Sequence, residues 1–200
     1  MNINKKVLIF INGKSGSGKT TLAEHLAKEL GEADTLIVEN SHKVKEIATE
    51  FYFWDKVKDE QGRQLLIDIT NAGYKYDPFL WEKFTAKKII NTGCKYIIIP
   101  DWRYESTYEY LVEFLPNMTG LIEDGGYKVL SATRVGLESD VYTSYSDAVT
   151  SDISEQGLTT TLTIKRRDTY SGDFFKQIKN LATVVKKSTK EEIPVVRNSF

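Results

Sequence analysis

The chain has 200 residues, a length typical of one domain, and its 27 basic and 28 acidic side chains leave a net charge of −1. That balance argues against a generally basic nucleic-acid-binding protein, so we expect no nucleic-acid partner. The single cysteine, Cys94, excludes a disulfide within the chain, and no apolar stretch approaches the roughly 18 residues of a membrane span, so we expect a cytoplasmic domain without a membrane partner.

The first predicted unit is a strand, a glycine-rich turn and a helix. Residues 7–11 (VLIFI) form a continuous apolar run, which is typical of a strand buried on both faces. The turn covers residues 13–18, and apolar side chains then recur at helical spacing from Leu22 to Leu30, with Gly31 ending the helix. This order predicts the opening of a βαβ unit whose next strand is residues 35–38 (TLIV).

Residues 41–91 have the pattern of three helices. Ser41 is a candidate cap for the first, and the second carries Leu65, Leu66 and Ile69 on its apolar face. The third is predicted to begin at Asp77, which precedes a proline at the first helical position. We therefore predict a helical insertion between the second and third strands.

The remaining elements continue the alternation of strands and helices. Residues 96–99 and 127–130 are predicted strands, and a helix between them is stopped by Pro116. A β-prone run covers residues 158–164, and a final amphipathic helix spans about 174–185, capped by Ser171. We predict one domain over residues 1–200, a three-layer α/β/α fold with a mostly parallel five-stranded sheet. A lid-like excursion at about residues 134–157 and a flexible tail at residues 188–200 complete it.

The turn after the first strand carries a phosphate-binding motif. Residues 13–20 fit G-x-x-x-x-G-K-[ST], in which glycines let backbone N–H groups converge on a polyphosphate at a helix N-terminus. Lys19 supplies a positive charge to the outer phosphates, and the Thr20 hydroxyl is a candidate Mg²⁺ ligand. The predicted nucleotide-binding residues are Gly13, Lys14, Ser15, Gly16, Ser17, Gly18, Lys19, Thr20 and Thr21.

A second group for Mg²⁺ is expected at the end of a neighbouring strand. Asp101 follows the run 96–99 and is the best candidate, although it is equally placed to cap the helix at Tyr104, and the two roles are compatible. Arg103 is two residues further on. It is predicted either to reach a phosphate or to be a surface arginine.

Several short segments carry a family resemblance: 43–48 (KVKEIA), 54–66 (WDKVKDEQGRQLL), 76–81 (YDPFLW) and 101–105 (DWRYE). Together with the phosphate-binding motif they resemble the P-loop nucleoside monophosphate kinases, most closely the deoxynucleoside monophosphate kinases of bacteriophage type. The resemblance implies a P-loop NTPase fold, an ATP site, an acceptor site built from the insertion, and a lid. It implies that Arg63 binds the acceptor phosphate, with Lys45 and Trp81 as further acceptor-site residues, although plain core packing is the favoured interpretation of Trp81.

The C-terminal half departs from the family pattern. A lid with arginines and a His-x-Ser-Glu-like element is expected, whereas residues 140–147 read DVYTSYSD. Arg134 is the candidate lid arginine and, with Lys19, Asp101 and Arg103, completes the predicted catalytic set. Arg166 and Arg167 are alternative sources of positive charge.

Three functions are consistent with these observations. The first is transfer of the ATP γ-phosphoryl group to a small-molecule acceptor, a nucleoside or deoxynucleoside monophosphate, by a monomer or homodimer. The second is a kinase for another small metabolite, for which Asp59 or Asp68 would act as general base on a hydroxyl acceptor. The third is a nucleotide-binding module or ATPase that phosphorylates no small acceptor.

Overall fold

The computed structural model describes residues 4–14, 16–117, 127–139, 160–164 and 172–188. Its centre is a five-stranded sheet with the spatial order β2-β3-β1-β4-β5. The strands are β1 (Asn4–Gly13), β2 (Thr35–Ile37), β3 (Tyr96–Ile99), β4 (Tyr127–Ser139) and β5 (Thr160–Ile164). All four pairings are parallel, so the carboxyl ends of the strands meet at one edge of the sheet.

Helices lie on both faces of this sheet. The described helices are α1 (Lys19–Leu30), α2 (His42–Tyr52), α3 (Glu60–Tyr76), α4 (Leu80–Asn91), α5 (Glu105–Tyr108), α6 (Leu115–Asn117) and α7 (Gly172–Ser188). A π-helical turn, Glu109–Phe114, joins α5 to α6. None of the helices in the described ranges is both long enough and apolar enough to cross a membrane.

The side chains of β1 explain its unbroken apolar sequence. Residues 7–11 are completely buried. Val7, Ile9 and Ile11 belong to the core shared with α1 and α7, whereas Leu8 and Phe10 belong to the core on the opposite face. The three-layer α/β/α architecture is therefore confirmed, because a central strand covered by helices on both faces has no polar side to alternate with.

The helical insertion has a small core of its own. It is formed by Val44, Ala48, Trp54, Ile69 and Trp81, from α2, α3, α4 and the loop between α2 and α3. These helices follow β2 and precede β3, as the spacing predicts.

Three boundaries differ from the predicted ones. Strand β2 ends at Ile37, one residue before the predicted end. Helix α4 begins at Leu80 and not at Asp77, because Asp77 ends α3. The Oδ1 atom of Asp77 accepts a hydrogen bond from Phe79 N at 2.9 Å. Strand β4 continues to Ser139, since Val135 and Leu137 alternate into the core. Residues 134–139 therefore belong to the sheet and not to a lid. The rest of the expected lid (140–157), Arg166, Arg167, the Ser171 cap and the tail beyond residue 188 lie outside the described residues.

Gly73 tests the packing of the insertion. A Cβ atom built on Gly73 would lie 2.2 Å from Cζ2 of Trp81, whose ring is fixed by an Nε1–H donation to Thr70 O at 3.0 Å. We expect Gly73→Ala to lower the free energy of unfolding by about 1–3 kcal/mol, since overpacking outweighs the gain in helix propensity. Chemical denaturation measures this. The matched control is Gly93→Ala, where an added Cβ meets no heavy atom within 4 Å, and an equal effect in both variants would contradict the packing argument.

Candidate functional site

The glycine-rich loop joins the end of β1 to the start of α1, as the motif predicts. Gly13 has a φ of 155°, and a Cβ atom there would lie 2.6 Å from Leu137 O and 2.9 Å from Ser17 Oγ. Gly18 has a φ of 93° and occupies the N-cap position of α1. Both positions need glycine, because an L side chain is strained at these angles and Gly13 has no space for one. The loop thus brings its backbone close to the N-terminus of α1, where an anion is favoured.

Lys19 is the first residue of α1, and its side chain folds back over the loop. Its Nζ donates hydrogen bonds to Gly13 O and Lys14 O, both at 2.6 Å. The pKa of Lys19 is lowered to about 8, mainly by burial and also by the nearby Arg103 and Lys58 charges, with Asp101 partly offsetting them. The ammonium group therefore stands among other cations, in surroundings that a polyanion would stabilise.

The loop also contains an unsatisfied hydroxyl group. Ser17 is 3% exposed, and its Oγ has no hydrogen-bond partner among the described residues. A buried polar atom without a partner normally costs free energy, so its presence inside a phosphate-binding motif fits a loop shaped for a ligand. The residues present thus fit a nucleotide polyphosphate. Ser15 lies outside the described residues.

Asp101 lies just after β3, and its carboxylate holds the start of α2. Oδ1 accepts a hydrogen bond from Asn40 N at 2.7 Å, and Oδ2 accepts two from Ser41, from N at 3.0 Å and from Oγ at 2.7 Å. Asp101 therefore stabilises the N-terminus of α2 and not, as one alternative had it, the helix at Tyr104. Oδ1 retains acceptor capacity and the Thr20 hydroxyl is exposed, so each group has the oxygen chemistry that a Mg²⁺ ligand requires.

A buried polar network around Glu82 is connected to Asp101 through Asn40. Glu82 is completely buried, and its Oε1 accepts hydrogen bonds from Asn40 Nδ2, Tyr74 OH and Thr107 Oγ1, at 3.1, 2.9 and 2.8 Å. Burial and the Glu82 charge raise the pKa of Tyr74, so its hydroxyl stays protonated and able to donate. Since Asn40 bonds both Glu82 and Asp101, the network connects α3, α4 and α5 to the carboxylate at the end of β3.

Four further cationic residues surround this edge of the sheet. Lys45 on α2 forms an ion pair with Glu39, and Arg103 lies close enough to Lys19 to lower its pKa. Lys58, in the loop between α2 and α3, is electrostatically coupled to Lys45, Arg63 and Asp101. Arg63 lies in the first turn of α3, and its Nε donates to Lys58 O at 2.9 Å. The structure thus places the predicted Lys45, Arg63 and Arg103 in one charged region with Lys19.

Arg134 and Trp81 are two predicted residues whose contacts indicate a structural role. Arg134 is on β4, where its guanidinium group forms an ion pair with Glu105 at 2.6 Å and stands 3.6 Å from the centre of the Tyr108 ring. It ties the segment after Asp101 to the sheet and does not belong to a lid, because β4 extends past it. Trp81 is 3% exposed, in the core of the insertion, where it packs against Gly73.

Four residues of this region are absent from the predicted set. They are Asn40, Lys58, Glu82 and Ser41, which was predicted as a helix cap but not as a hydrogen-bond donor to Asp101. Only Glu82 had a usable sequence signal, because it shares the helical spacing of Ala86 and Ile89 and so belongs to the inward face of α4. The other three depend on which loops meet, which no local pattern encodes.

Comparisons with known proteins agree with this geometry. A family model for an AAA domain, AAA_18, matches residues 9–112, just over half of the chain, from β1 to the π-helical turn. The match includes the glycine-rich loop, the insertion, Asp101 and Arg103. None of the curated proteins matches the chain at a significant level.

Solved structures with similar architecture are distant. A sugar kinase from Janibacter sp. is 16% identical, covering 91% of this chain and 95% of that one, with a TM-score of 0.46. The APS kinase of Mycobacterium tuberculosis, solved with AMPPNP and APS, is 12% identical, covering 93% of this chain and 98% of that one, with a TM-score of 0.42. Similarity at this level says nothing about the substrate of this chain.

Proposed function

This chain belongs to the AAA domain family that the AAA_18 model describes, and we propose that it is an ATP-dependent kinase of a small phosphorylated molecule. The acceptor we propose is a nucleoside or deoxynucleoside monophosphate, which the reaction converts to the diphosphate. ATP would bind at the glycine-rich loop with Lys19 at its outer phosphates, and Thr20 and Asp101 would hold Mg²⁺. When bound, the ion would neutralise charge on the transferring phosphoryl group.

The observation that carries this proposal is the excess of positive charge at one edge of the sheet. The charges that act on Lys19 and Lys58 are the cations Arg103, Lys45 and Arg63 and the carboxylates Glu39 and Asp101. One lysine is sufficient to contact the outer phosphates of ATP. The remaining cations fit a second anion, because bringing two polyanions together is the main electrostatic cost of phosphate-to-phosphate transfer.

The positions of the carboxylates favour a phosphate over a hydroxyl acceptor. A hydroxyl acceptor needs a general base, for which the sequence suggested Asp59 or Asp68. Asp59 caps α3, accepting from Gly62 N at 2.8 Å, and the exposed Asp68 accepts from Gln64 Nε2 at 2.9 Å. Asp101 already accepts three hydrogen bonds. An acceptor phosphate is anionic at neutral pH and needs no base, so positioning and charge neutralisation suffice.

The lowered pKa of Lys19 predicts a pH dependence of nucleotide binding. The free ammonium group has a pKa of about 8, and phosphate raises it by adding negative charge beside it. Binding above that pH therefore takes up a proton. We expect ADP affinity to be constant below about pH 8 and to fall above it by up to about tenfold per pH unit. Calorimetric titrations in buffers of different ionisation enthalpy measure the uptake. In Lys19→Met the pH dependence should disappear, and its persistence would assign it to another group.

A coupled assay with ATP and a panel of acceptors tests the proposed function. The panel contains ribonucleoside and deoxyribonucleoside monophosphates, together with sugars and nucleosides as hydroxyl acceptors. Production of ADP that requires one of the monophosphates would support the proposal. Turnover only with hydroxyl acceptors, or ATP hydrolysis that no acceptor stimulates, would reject it in favour of the other two functions.

A further inference from the structure

We propose that Lys58 is a phosphate-binding residue of the acceptor site, and that Arg63 positions it by holding its backbone. This inference rests on the proposed function and deepens it, because it assigns the second anion to a particular side chain. The family resemblance pointed instead to Arg63 as the phosphate ligand.

The loop that carries Lys58 is fixed along its whole length. Trp54 Nε1 donates to Val57 O at 2.8 Å, and Val57 N donates to Asp55 Oδ1 at 2.9 Å. Arg63 Nε donates to Lys58 O at 2.9 Å. These bonds hold successive peptide groups before and at Lys58, so the backbone from which its side chain projects is fixed before any ligand arrives. Such preorganisation is what a binding residue requires.

Gly62 shows how tightly this loop is packed. A Cβ atom on Gly62 would lie 2.2 Å from Val57 O and 2.7 Å from Trp54 Nε1. Two non-glycine residues of the loop, Phe53 and Lys56, have positive φ angles of 54° and 70°. Backbone strain of this kind costs free energy and persists only where the surroundings impose the conformation, and it is concentrated at functional sites.

The ammonium group of Lys58 has no direct partner among the residues that the structure describes. In the described part of the chain its Nζ makes neither a hydrogen bond nor an ion pair, whereas Lys45 pairs with Glu39 and Lys19 bonds two loop carbonyls. Desolvation lowers the pKa of Lys58, the Lys45 and Arg63 charges lower it further, and Glu39 and Asp101 partly offset them. Lys58 is exposed and lies near other cations without a direct ion pair to a described residue, so it is accessible to a phosphate, whose negative charge would reduce the repulsion between these cations.

Arg63 acts differently. Its Nε–H is committed to Lys58 O, so the edge of the guanidinium group that includes Nε is not available for a bidentate grip on phosphate. Replacing it with lysine keeps a charge but removes a donor of fixed geometry, which frees the backbone of Lys58. Arg63→Lys should therefore weaken acceptor binding through Lys58, and the effect should be absent when Lys58 is already replaced.

Equilibrium binding of inorganic phosphate tests the assignment without requiring turnover. The glycine-rich loop is first saturated with AMPPNP and Mg²⁺, so that added phosphate reports only a second anion site. We expect Lys58→Met to weaken phosphate binding at least tenfold, Lys58→Arg to restore most of it, and the matched control Lys87→Met, on the exposed face of α4, to leave it unchanged. Circular dichroism establishes that the variants are folded.

The second measurement is acceptor kcat/KM with the monophosphate that the panel identifies. Lys58→Met should lower acceptor kcat/KM about 10- to 150-fold at unchanged KM for ATP, and Arg63→Lys should add less than threefold to Lys58→Met. Unchanged phosphate binding in Lys58→Met, or fully additive losses in the double variant, would overturn the assignment. If the panel shows no monophosphate kinase activity but phosphate binding still depends on Lys58, the acceptor proposal fails while the anion site remains.

Discussion

A Lys19→Ala variant is expected to fold normally and to lose at least 100-fold in kcat. Lys19 places the ammonium group at the loop, where charge develops on the transferring phosphoryl group, and removal of one preorganised donor at such a position has an effect of this size. Among the described residues, the Lys19 ammonium group bonds Gly13 O and Lys14 O of its own loop, so little packing is lost when it is removed. Steady-state kinetics with ATP and the acceptor varied in turn, together with a thermal unfolding curve, measure both expectations.

Lys28 provides the control for this experiment. It lies in the last turn of the same helix, is exposed, and is remote from the loop, so Lys28→Ala should keep wild-type kcat. A folded Lys19→Ala protein with wild-type turnover would contradict the placement of the phosphoryl-transfer site at this loop.

Asp101→Asn is expected to lower kcat on the order of 100-fold and to destabilise the protein by about 1–3 kcal/mol. The carboxylate is the candidate Mg²⁺ ligand, and an amide binds the ion more weakly. The amide N–H₂ would also face the N–H and hydroxyl donors of Ser41, leaving buried donors unpaired. ADP affinity measured with and without Mg²⁺ separates the two effects, because only the first depends on the metal.

Ser41→Ala separates them further. It removes one of the three hydrogen bonds to Asp101 and leaves the carboxylate in place, so we expect a modest loss of stability with near-normal Mg²⁺ dependence. An equal loss of ADP affinity with and without Mg²⁺ in Asp101→Asn would make Asp101 a structural residue only.

Local patterns were sufficient for the parts of this fold in which one segment determines its own structure. Three consecutive segments show this: the buried run 7–11, the glycine-rich turn and the apolar spacing of α1. Each has a sequence pattern that predicts its own structure. The helices of the insertion were also predicted from patterns within single segments. The limit of β4 was missed because its outer half, with Arg134 and Gly136, looks polar until the neighbouring β1 and β5 are in place.

In the candidate site, too, features that depend on local sequence were predictable, whereas contacts between distant segments were not. The loop that leads to Lys19 follows β1, and Asp101 follows β3, so their edge of the sheet is predictable from the parallel order alone. What Asp101 bonds was not predictable, because Asn40 and Ser41 reach it across some sixty positions of sequence. Lys58 owes its place to a loop that Trp54, Gly62 and Arg63 fix together. Those contacts arise from the packing of α2 against α3, which the sequence pattern does not specify.

Following the γ-phosphoryl group of ATP shows whether this chain transfers it to a nucleoside monophosphate. Protein is mixed with ATP labelled with ³²P in the γ-phosphoryl group, Mg²⁺ and each nucleoside monophosphate, and the products are separated by thin-layer chromatography. We expect label in the β-phosphate of one nucleoside diphosphate, at a rate that falls at least 100-fold in Lys19→Ala. Label recovered only as inorganic phosphate, or in no nucleotide other than ATP whichever monophosphate is present, would contradict it.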